Sequence, residues 1–342
     1  MSDVNGTICV RQSRSDEVTF QTLNKFTFAK DKKMLRPEHL RKGDTVAIVS
    51  TARKISAEEI QPAVDELTGW GLKVVSGQNL FSEQNQFAGS DEERLADFQN
   101  TLDDKNIKAI LFARGGYGTV RIIDNLNWAA FTKKPKWLIG FSDITVIHSH
   151  VQKNCGVETL HAPMAFNFKN ASKESISNLE KILFGENISY NIPENIFSDF
   201  NRYGNAKGIL TGGNLSILYA LNGTPSDIDY SGKILFIEDI DEYLYHIDRM
   251  MLTLKRAGKL KSLAGLIVGG MTDMKDNTVP FGKSAEEIIR ESLAEYSYPI
   301  CFGFPAGHIR DNRSLIFGRE VELNVTEEIY LKYSPADFAE SR

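Results

Sequence analysis

The chain of 342 residues contains little cysteine and little histidine. Its three cysteines, Cys9, Cys155 and Cys301, are far apart and form no CxxC pair, which fits a reducing compartment and no disulfide framework. Only six histidines occur, and no HExxH motif is present. His148 and His150 fall in a predicted helix, where positions two apart do not share a face. The sequence therefore favours ordinary polar helix residues there over a zinc site, and predicts no metal and no cofactor.

An excess of positive charge is also missing. The formal net charge is −5, from 40 basic and 45 acidic residues, which argues against a nucleic-acid-binding protein. We find no apolar run of transmembrane length and no signal-peptide pattern at the N-terminus. The composition, 42% hydrophobic and 25% charged residues, is ordinary for a globular protein. These features predict a cytoplasmic protein without membrane or nucleic-acid partners, and leave open a weakly acidic enzyme with a small substrate.

The ordered pattern begins after a polar tail. Residues 1–33 lack periodicity, and Met34 is a candidate alternative start. Ser56 with Glu59, and Ser90 with Glu93, have the spacing of a capping box at the start of a helix. Strand patterns alternate with these helices, which predicts a parallel, wound α/β sheet. The predicted strands of this half lie at 44–50, 72–76, 107–113 and 136–141.

A second α/β pattern follows a weakly patterned stretch. Residues 167–205 are rich in Asn, Ser and Lys and are predicted to connect two domains. Accordingly, 34–166 is the predicted N-terminal domain with the nucleophile, and 206–342 the predicted C-terminal domain with its partner residues. The pattern resumes with a strand from Gly208, the sequence TGGN and a helix through Leu221. Further strands are predicted at 233–237, 263–269 and 314–323, and helices at 241–256 and 284–296.

Ser142 stands where an apolar strand meets a helical pattern, in the sequence GFSDI. A serine at such a turn has an exposed hydroxyl and lies beside backbone amides at a helix N-terminus. The pattern resembles a nucleophile elbow, although Ile144 replaces the final glycine of G-x-S-x-G. The alternative is that Ser142 or Asp143 merely caps the helix.

A glycine-rich loop, Arg114-Gly115-Gly116-Tyr117-Gly118, follows another predicted strand. Adjacent glycines let a backbone approach a ligand closely and present its N–H groups. The loop lacks the Walker lysine and the full dinucleotide fingerprint, so a phosphate site is weakly indicated and a plain tight turn is the alternative. Both loops lie at carboxyl ends of predicted strands, where open α/β sheets bind ligands.

A serine nucleophile needs a general base, and the base needs an orienting acid. Glu238 and Asp239 end a predicted strand, and Glu238 is the better-fixed candidate; a solvated acidic helix start is the alternative. His308 lies in a glycine- and proline-rich loop, GFPAGH, where histidines are more often functional than those on a helix face. His161, in His-Ala-Pro, is the competing candidate for the base.

Several motifs together resemble the LD-carboxypeptidase family. They are RGGYG, GFSD preceded by a lysine-containing segment, TGGN, FIED followed by Asp248-Arg249, and PAGH followed by Asn312. They occur in the family's order from about residue 35 to 323. The family comprises serine peptidases, including murein tetrapeptide carboxypeptidases and microcin C immunity peptidases. One departure is Ala162, where the family often has glycine.

The resemblance implies a Ser142, His308 and Glu238 triad, with an oxyanion hole from the backbone amides of Gly116 and Asp143. It implies an N-terminal wound parallel sheet, of the class I glutamine-amidotransferase-like type, and a C-terminal α/β domain with barrel-like β structure, usually in a homodimer. The implied reaction is release of the terminal D-alanine from murein tetrapeptide in cell-wall recycling.

Substrate recognition stays open at this stage. Loop residues Arg114, Gly115 and Tyr117 are candidates for substrate binding. A carboxypeptidase must bind a free carboxylate, which suits an arginine, and Arg114, Arg121 and Arg310 are all near the motifs. Alternatives are hydrolysis of a peptidyl-nucleotide antibiotic, for which Tyr203 or Phe200 would stack on the base, and a binding protein without catalysis.

Overall fold

Strands and helices alternate along the first half of the chain, as the sequence patterns predict. The structure, a computed structural model, describes residues 34–334; the predicted tail 1–33 lies outside them. The strands are β1 (Thr45–Val49), β2 (Lys73–Ser76), β3 (Ile107–Phe112), β4 (Trp137–Gly140), β5 (Thr159–His161), β6 (Ser189–Ile192), β7 (Gly204–Asn214), β8 (Ile234–Ile240), β9 (Gly265–Thr272), β10 (Ile300–Cys301), β11 (Leu315–Phe317), β12 (Glu320–Val325) and β13 (Ile329–Tyr333). The α-helices are α1 (Ala57–Gly69), α2 (Asp91–Asp103), α3 (Ala129–Lys133), α4 (Thr145–Asn154), α5 (Lys173–Leu183), α6 (Leu215–Ala220), α7 (Leu244–Arg256) and α8 (Ala285–Ser292).

The first sheet has the order β11-β5-β4-β3-β1-β2. Its five strands from β5 to β2 are parallel, and β11 pairs antiparallel with β5. Helices α1 and α2 begin with the predicted capping boxes: the side chains of Ser56 and Ser90 accept from the amides of Glu59 and Glu93, and both glutamates accept in return. The prediction of a parallel N-terminal sheet is confirmed.

The second sheet has the order β10-β9-β8-β7-β12-β13-β6. Strands β10 to β7 are parallel, whereas β12, β13 and β6 add antiparallel neighbours beyond β7. The prediction of a second α/β domain is confirmed. Because β3, β4, β7 and β8 each lie in a parallel part of a sheet, the loops after them are positioned by rigid strand ends.

The predicted strand over 314–323 is two strands in two sheets. Strand β11 joins the first sheet and β12 the second, and Gly318, with φ of +91°, lies in the turn between them. Strand β11 is apolar and β12 alternates apolar with polar residues; only Gly318 and Arg319 separate them, so the sequence pattern does not show that they belong to different sheets. The chain near its C-terminal end thus contributes an edge strand to the sheet that carries Ser142.

The stretch predicted to connect two domains contains regular structure. Helix α5 and strand β6 lie within 167–205, and β6 pairs with β13 at the edge of the second sheet. One hydrophobic cluster combines residues of both sheets, including Ile139, Leu160 and Phe317 of the first with Phe236 of the second. The domain boundaries remain a prediction.

Within residues 34–334, no helix is long and apolar enough to cross a membrane.

Candidate active site

Ser142 lies on a strained turn directly after strand β4. Its φ is +62°, one of four positive values among the described non-glycine residues. A short 3₁₀ turn over Ser142–Ile144 leads into helix α4. Neither helix start has a side-chain cap, so the alternative that Ser142 or Asp143 caps the helix is wrong. A left-handed conformation at a non-glycine residue costs about 1–3 kcal/mol and clusters at functional sites.

The structure brings Ser142, His308 and Glu238 together. Nε2 of His308 lies 3.1 Å from Oγ of Ser142, and Nδ1 lies 2.6 Å from Oε2 of Glu238. Since a carboxylate only accepts hydrogen bonds, Nδ1 carries the proton and Nε2 accepts from the serine hydroxyl. The Glu238 side chain is fully buried and that of His308 is 16% exposed. The geometry is that of a nucleophile, a base and an orienting acid.

Two carboxylates act on the charge of His308. Burial alone lowers the pKa of His308, but the charge and hydrogen bond of Glu238, assisted by the charge of Asp239, raise it above its ordinary value. Burial, and then the charge of Glu238, raise the pKa of Asp239 to about 7. Both carboxylates are at most 1% exposed, and helix α7 begins only at Leu244. The alternative of a solvated acidic helix start is therefore wrong.

The glycine loop after β3 packs against Ser142. A Cβ on Gly115 would lie 3.2 Å from Oγ of Ser142, and one on Gly116 would lie 2.2 Å from Cδ of Arg53. Gly116 has φ of +109°, so this close approach requires glycine. Within residues 34–334, the amides of Gly116 and Asp143 donate no backbone hydrogen bond.

Asp143 ties the two loops together. Its Oδ2 accepts from the amide of Thr119 at 2.9 Å, just beyond the glycine loop, and the Thr119 hydroxyl bonds that of Thr51 at 2.7 Å. Burial raises the pKa of Asp143. The side chain thus fixes the spacing between the turn at Ser142 and the loop that contains Gly116, a role that the sequence did not indicate.

A second link joins the two sheets behind the triad. Oδ1 of Asp239 accepts from Nδ2 of Asn214 at 2.9 Å, and the amide of Asn214 donates to Oγ1 of Thr145 at 3.0 Å. Thr145 begins helix α4, three residues after Ser142. The TGGN motif was the sequence signal for Asn214, but its partners come from distant parts of the chain.

The competing histidine, His161, is enclosed by aromatic rings. Its ring packs on those of Phe141, Phe236 and Phe317, and neither ring nitrogen has a hydrogen-bond partner within residues 34–334. Burial, with the nearby histidines, holds its pKa well below the ordinary value. The neighbouring Ala162 is fully buried, and its amide donates to the carbonyl of Gly140.

The two histidines of helix α4, His148 and His150, make hydrogen bonds to residues outside the triad. The ring of His148 contacts Oγ1 of Thr159 and the carbonyl of Gly140, both at 2.9 Å, and His150 contacts Ser226. No cluster of three or more metal-ligating residues occurs in the part of the chain that the structure describes.

The three candidate arginines differ in their surroundings. Nη1 of Arg114 lies 3.4 Å from Glu59, with its guanidinium over the ring of Phe166. Arg121 binds Asp91 through two nitrogens, Nε and Nη2, the closer at 2.7 Å. Arg310 instead lines a cavity of about 430 Å³ beside His308.

The aromatic candidates for stacking on a base lie away from this cavity. Tyr203 is 62% exposed and Phe200 packs against Phe302 with ring centroids 5.7 Å apart, and neither lines the cavity. Tyr117 of the glycine loop is 46% exposed.

Comparison with known proteins identifies the family. Residues 46–162 match the LD-carboxypeptidase N-terminal domain and 207–323 match the LD-carboxypeptidase C-terminal domain. The chain belongs to the LD-carboxypeptidase family. The resemblance seen in the motifs is thereby confirmed.

Several LD-carboxypeptidase relatives are similar over most of their length. A "Probable murein peptide carboxypeptidase" of Bacillus subtilis is 34% identical over 86% of this chain and 92% of its own. A murein tetrapeptide carboxypeptidase of Pseudomonas aeruginosa is 28% identical over 81% of this chain and 92% of its own.

Solved structures agree on the fold. A muramoyltetrapeptide carboxypeptidase from Oxalobacter formigenes has a TM-score of 0.77 at 27% identity, covering 85% of this chain and 99% of its own. The microcin C7 self immunity protein MccF has a TM-score of 0.78 at 21% identity, covering 88% and 98%. The latter likeness concerns the fold alone.

Proposed function

We propose that this LD-carboxypeptidase releases the terminal D-alanine of murein tetrapeptide through a Ser142, His308 and Glu238 triad. The observation that carries the proposal is the continuous contact from Oγ of Ser142 through the His308 ring to Glu238. The relatives named for murein peptides support the substrate class.

The proposed reaction is acyl transfer to water in two steps. His308 removes the proton of Ser142 as Oγ attacks the carbonyl of the scissile amide, and Glu238 stabilises the imidazolium. His308 then gives that proton to the leaving amine, so free D-alanine departs and an acyl ester stays on Ser142. His308 then deprotonates a water molecule, which attacks the ester. As the acyl group leaves, His308 gives that proton to Oγ of Ser142.

The amides of Gly116 and Asp143 supply the proposed oxyanion hole. Both lie on loops that contact or contain Ser142, and removal of one such donor typically costs about 2.7–4 kcal/mol of transition-state stabilisation. In the same proposal, Gly115 and Tyr117 line the approach of the substrate. We also propose, from the resemblance alone, that the protein acts in the cytoplasm as a homodimer, which light scattering of the purified protein tests.

The test follows alanine release from murein tetrapeptide by chiral chromatography, with chelator present and Ser142→Ala in parallel. The proposal expects D-alanine from the parent protein and none from the variant. An equally active variant would exclude Ser142 as the nucleophile. An inactive parent would redirect the test to peptidyl-nucleotide substrates, and tight peptide binding without turnover would indicate a binding protein.

A further inference from the structure

A cavity opens beside the catalytic histidine of the proposed triad, with a volume of about 430 Å³. Its lining joins the turn before Ser142, the segment after β5 and the loop that contains His308. The lining residues are Phe141, Pro163, Phe166, Asn167, Asn170, Ala171, Ile240, His308, Ile309, Arg310 and Asn312.

The lining of this cavity carries a positive charge and no negative one. Arg310 is its only permanently charged residue, and no carboxylate lines it. An anionic group of a ligand is therefore favoured in the cavity and a cationic group is not. The two asparagines of the wall, Asn167 and Asn170, add neutral hydrogen-bonding groups.

The guanidinium of Arg310 has no ion-pair partner among residues 34–334, unlike that of Arg114 or Arg121. The adjacent carboxylate, Asp311, is directed elsewhere: it accepts from the hydroxyl of Ser172 at 2.8 Å and pairs with Arg313 at 3.1 Å. An exposed arginine whose neighbouring acid is bound by other residues is free to bind an incoming carboxylate.

The backbone of Arg310 is nevertheless fixed. Its carbonyl accepts from the amide of Ser172 at 2.9 Å, at the start of helix α5. Two residues earlier, the amide of His308 donates to Glu238 at 3.2 Å. The loop thus carries His308 and Arg310 on one segment whose backbone is anchored at both residues.

In a carboxypeptidase substrate, one carbon separates the scissile nitrogen from the terminal carboxylate. A group that binds this carboxylate must therefore lie close to the residue that protonates the leaving nitrogen. We infer that Arg310 binds the terminal carboxylate of the peptide substrate in this cavity and so selects cleavage at the C-terminal residue. This inference rests on the proposed function.

The test measures binding without turnover, in the Ser142→Ala background. Calorimetry compares murein tetrapeptide with its terminal carboxamide, which differ only at the group in question. We expect the acid to bind about 10- to 100-fold more tightly than the amide, the range of a charge-assisted hydrogen-bonded pair. Adding Arg310→Gln removes that preference, and Arg310→Lys restores part of it, since lysine keeps the charge but not the fork.

Arg121→Gln is the matched control. It removes a positive charge that was a rival candidate for the carboxylate, but Arg121 pairs with Asp91 and does not line the cavity, so the preference for the acid is expected to survive. The inference is overturned if the acid is not preferred, if Arg310→Gln leaves the preference intact, or if Arg121→Gln removes it as well.

Turnover by the enzyme with Ser142 intact separates the two proposals. A parent that prefers the acid in binding yet releases no alanine would overturn the proposed function and leave the role of Arg310 standing. A parent that releases alanine from both peptides equally, with Arg310→Gln unchanged, would overturn the role of Arg310 alone.

Discussion

His308 contacts one oxygen of Glu238 through two nitrogens: Nδ1 at 2.6 Å and the backbone amide at 3.2 Å, both to Oε2. The side-chain contact sets the tautomer of the ring, and the backbone contact fixes the loop that carries it. Glu238 therefore has two tasks, an electrostatic one and a positional one, which substitutions can separate.

Glu238→Gln removes the charge and keeps the size of the side chain. We expect kcat/KM to fall about 10³- to 10⁴-fold, as for the orienting acid of other triads. Activity requires neutral His308, so kcat/KM rises with pH through the pKa of His308. Glu238 raises that pKa above its ordinary 6.5, so the midpoint lies above 6.5 in the parent and moves to lower pH in the variant.

The pH profile of kcat/KM checks this expectation. Glu242→Gln serves as the control, because Glu242 contacts His246 rather than the triad, and its profile should match the parent. An unchanged midpoint in Glu238→Gln would show that Glu238 does not set the pKa of His308.

Gly307→Ala tests the positional task. A Cβ there would lie 2.7 Å from Cβ and 2.8 Å from Oε2 of Glu238, at φ of +107°. The methyl group must displace the carboxylate, and a displacement near 1 Å typically costs about 100-fold in rate. Gly43→Ala has φ of +92° and no atom within 4 Å of the added carbon, so it measures backbone strain alone. Equal activity of the two variants would refute the displacement.

The backbone of Ser142 predicts a conflict between stability and activity. Ser142→Gly relieves the left-handed conformation, whereas Ser142→Ala keeps it, and both lose the hydroxyl. We expect both variants to be inactive and the glycine variant to be more stable by about 1 kcal/mol. Denaturant unfolding of the two proteins gives the difference directly; a more stable alanine variant would contradict strain at this turn.

His148 predicts a loss of stability in acid. Burial lowers its pKa to about 4, while the unfolded chain has an ordinary value near 6.5. The unfolded state thus binds a proton first as pH falls, so stability is complete above pH 6.5 and is lost between 6.5 and 4. For this residue the loss from pH 7 to pH 5 is roughly 2 kcal/mol.

Denaturant unfolding at both pH values measures that loss. His148→Gln does not titrate in this range, so its stability should depend less on pH than that of the parent. The same dependence in both proteins would assign the acid sensitivity to other groups, such as His161.

The sequence predicted those elements whose signals are local. The capping boxes at Ser56 and Ser90 specify helix starts through residues three apart, and both are present. The short strands β5, β6 and β10 have two to four residues, too few for a periodic pattern, and they exist because longer strands pair with them. Strand β13 was also missed.

The candidate site was predictable in its residue types but not in its contacts. Motifs singled out Ser142, Glu238 and His308, and their meeting required a fold that joins distant parts of the chain. The choice between Arg114, Arg121 and Arg310 depends on which acid lies beside each guanidinium, and Asp239 and Asp143 gained their roles from burial. Contacts between residues so far apart in the chain have no fixed spacing that a sequence pattern could reveal.

Strand β11 has a consequence for synthesis of the protein. The ribosome makes Ser142 and its sheet early, but the edge beside β5 stays unpaired until Leu315–Phe317 emerges. His308 emerges only shortly before that strand. With the proposed triad, a nascent chain therefore holds its nucleophile without a base while the 166 residues from Ser142 to His308 are made, and we expect a product truncated before His308 to lack peptidase activity.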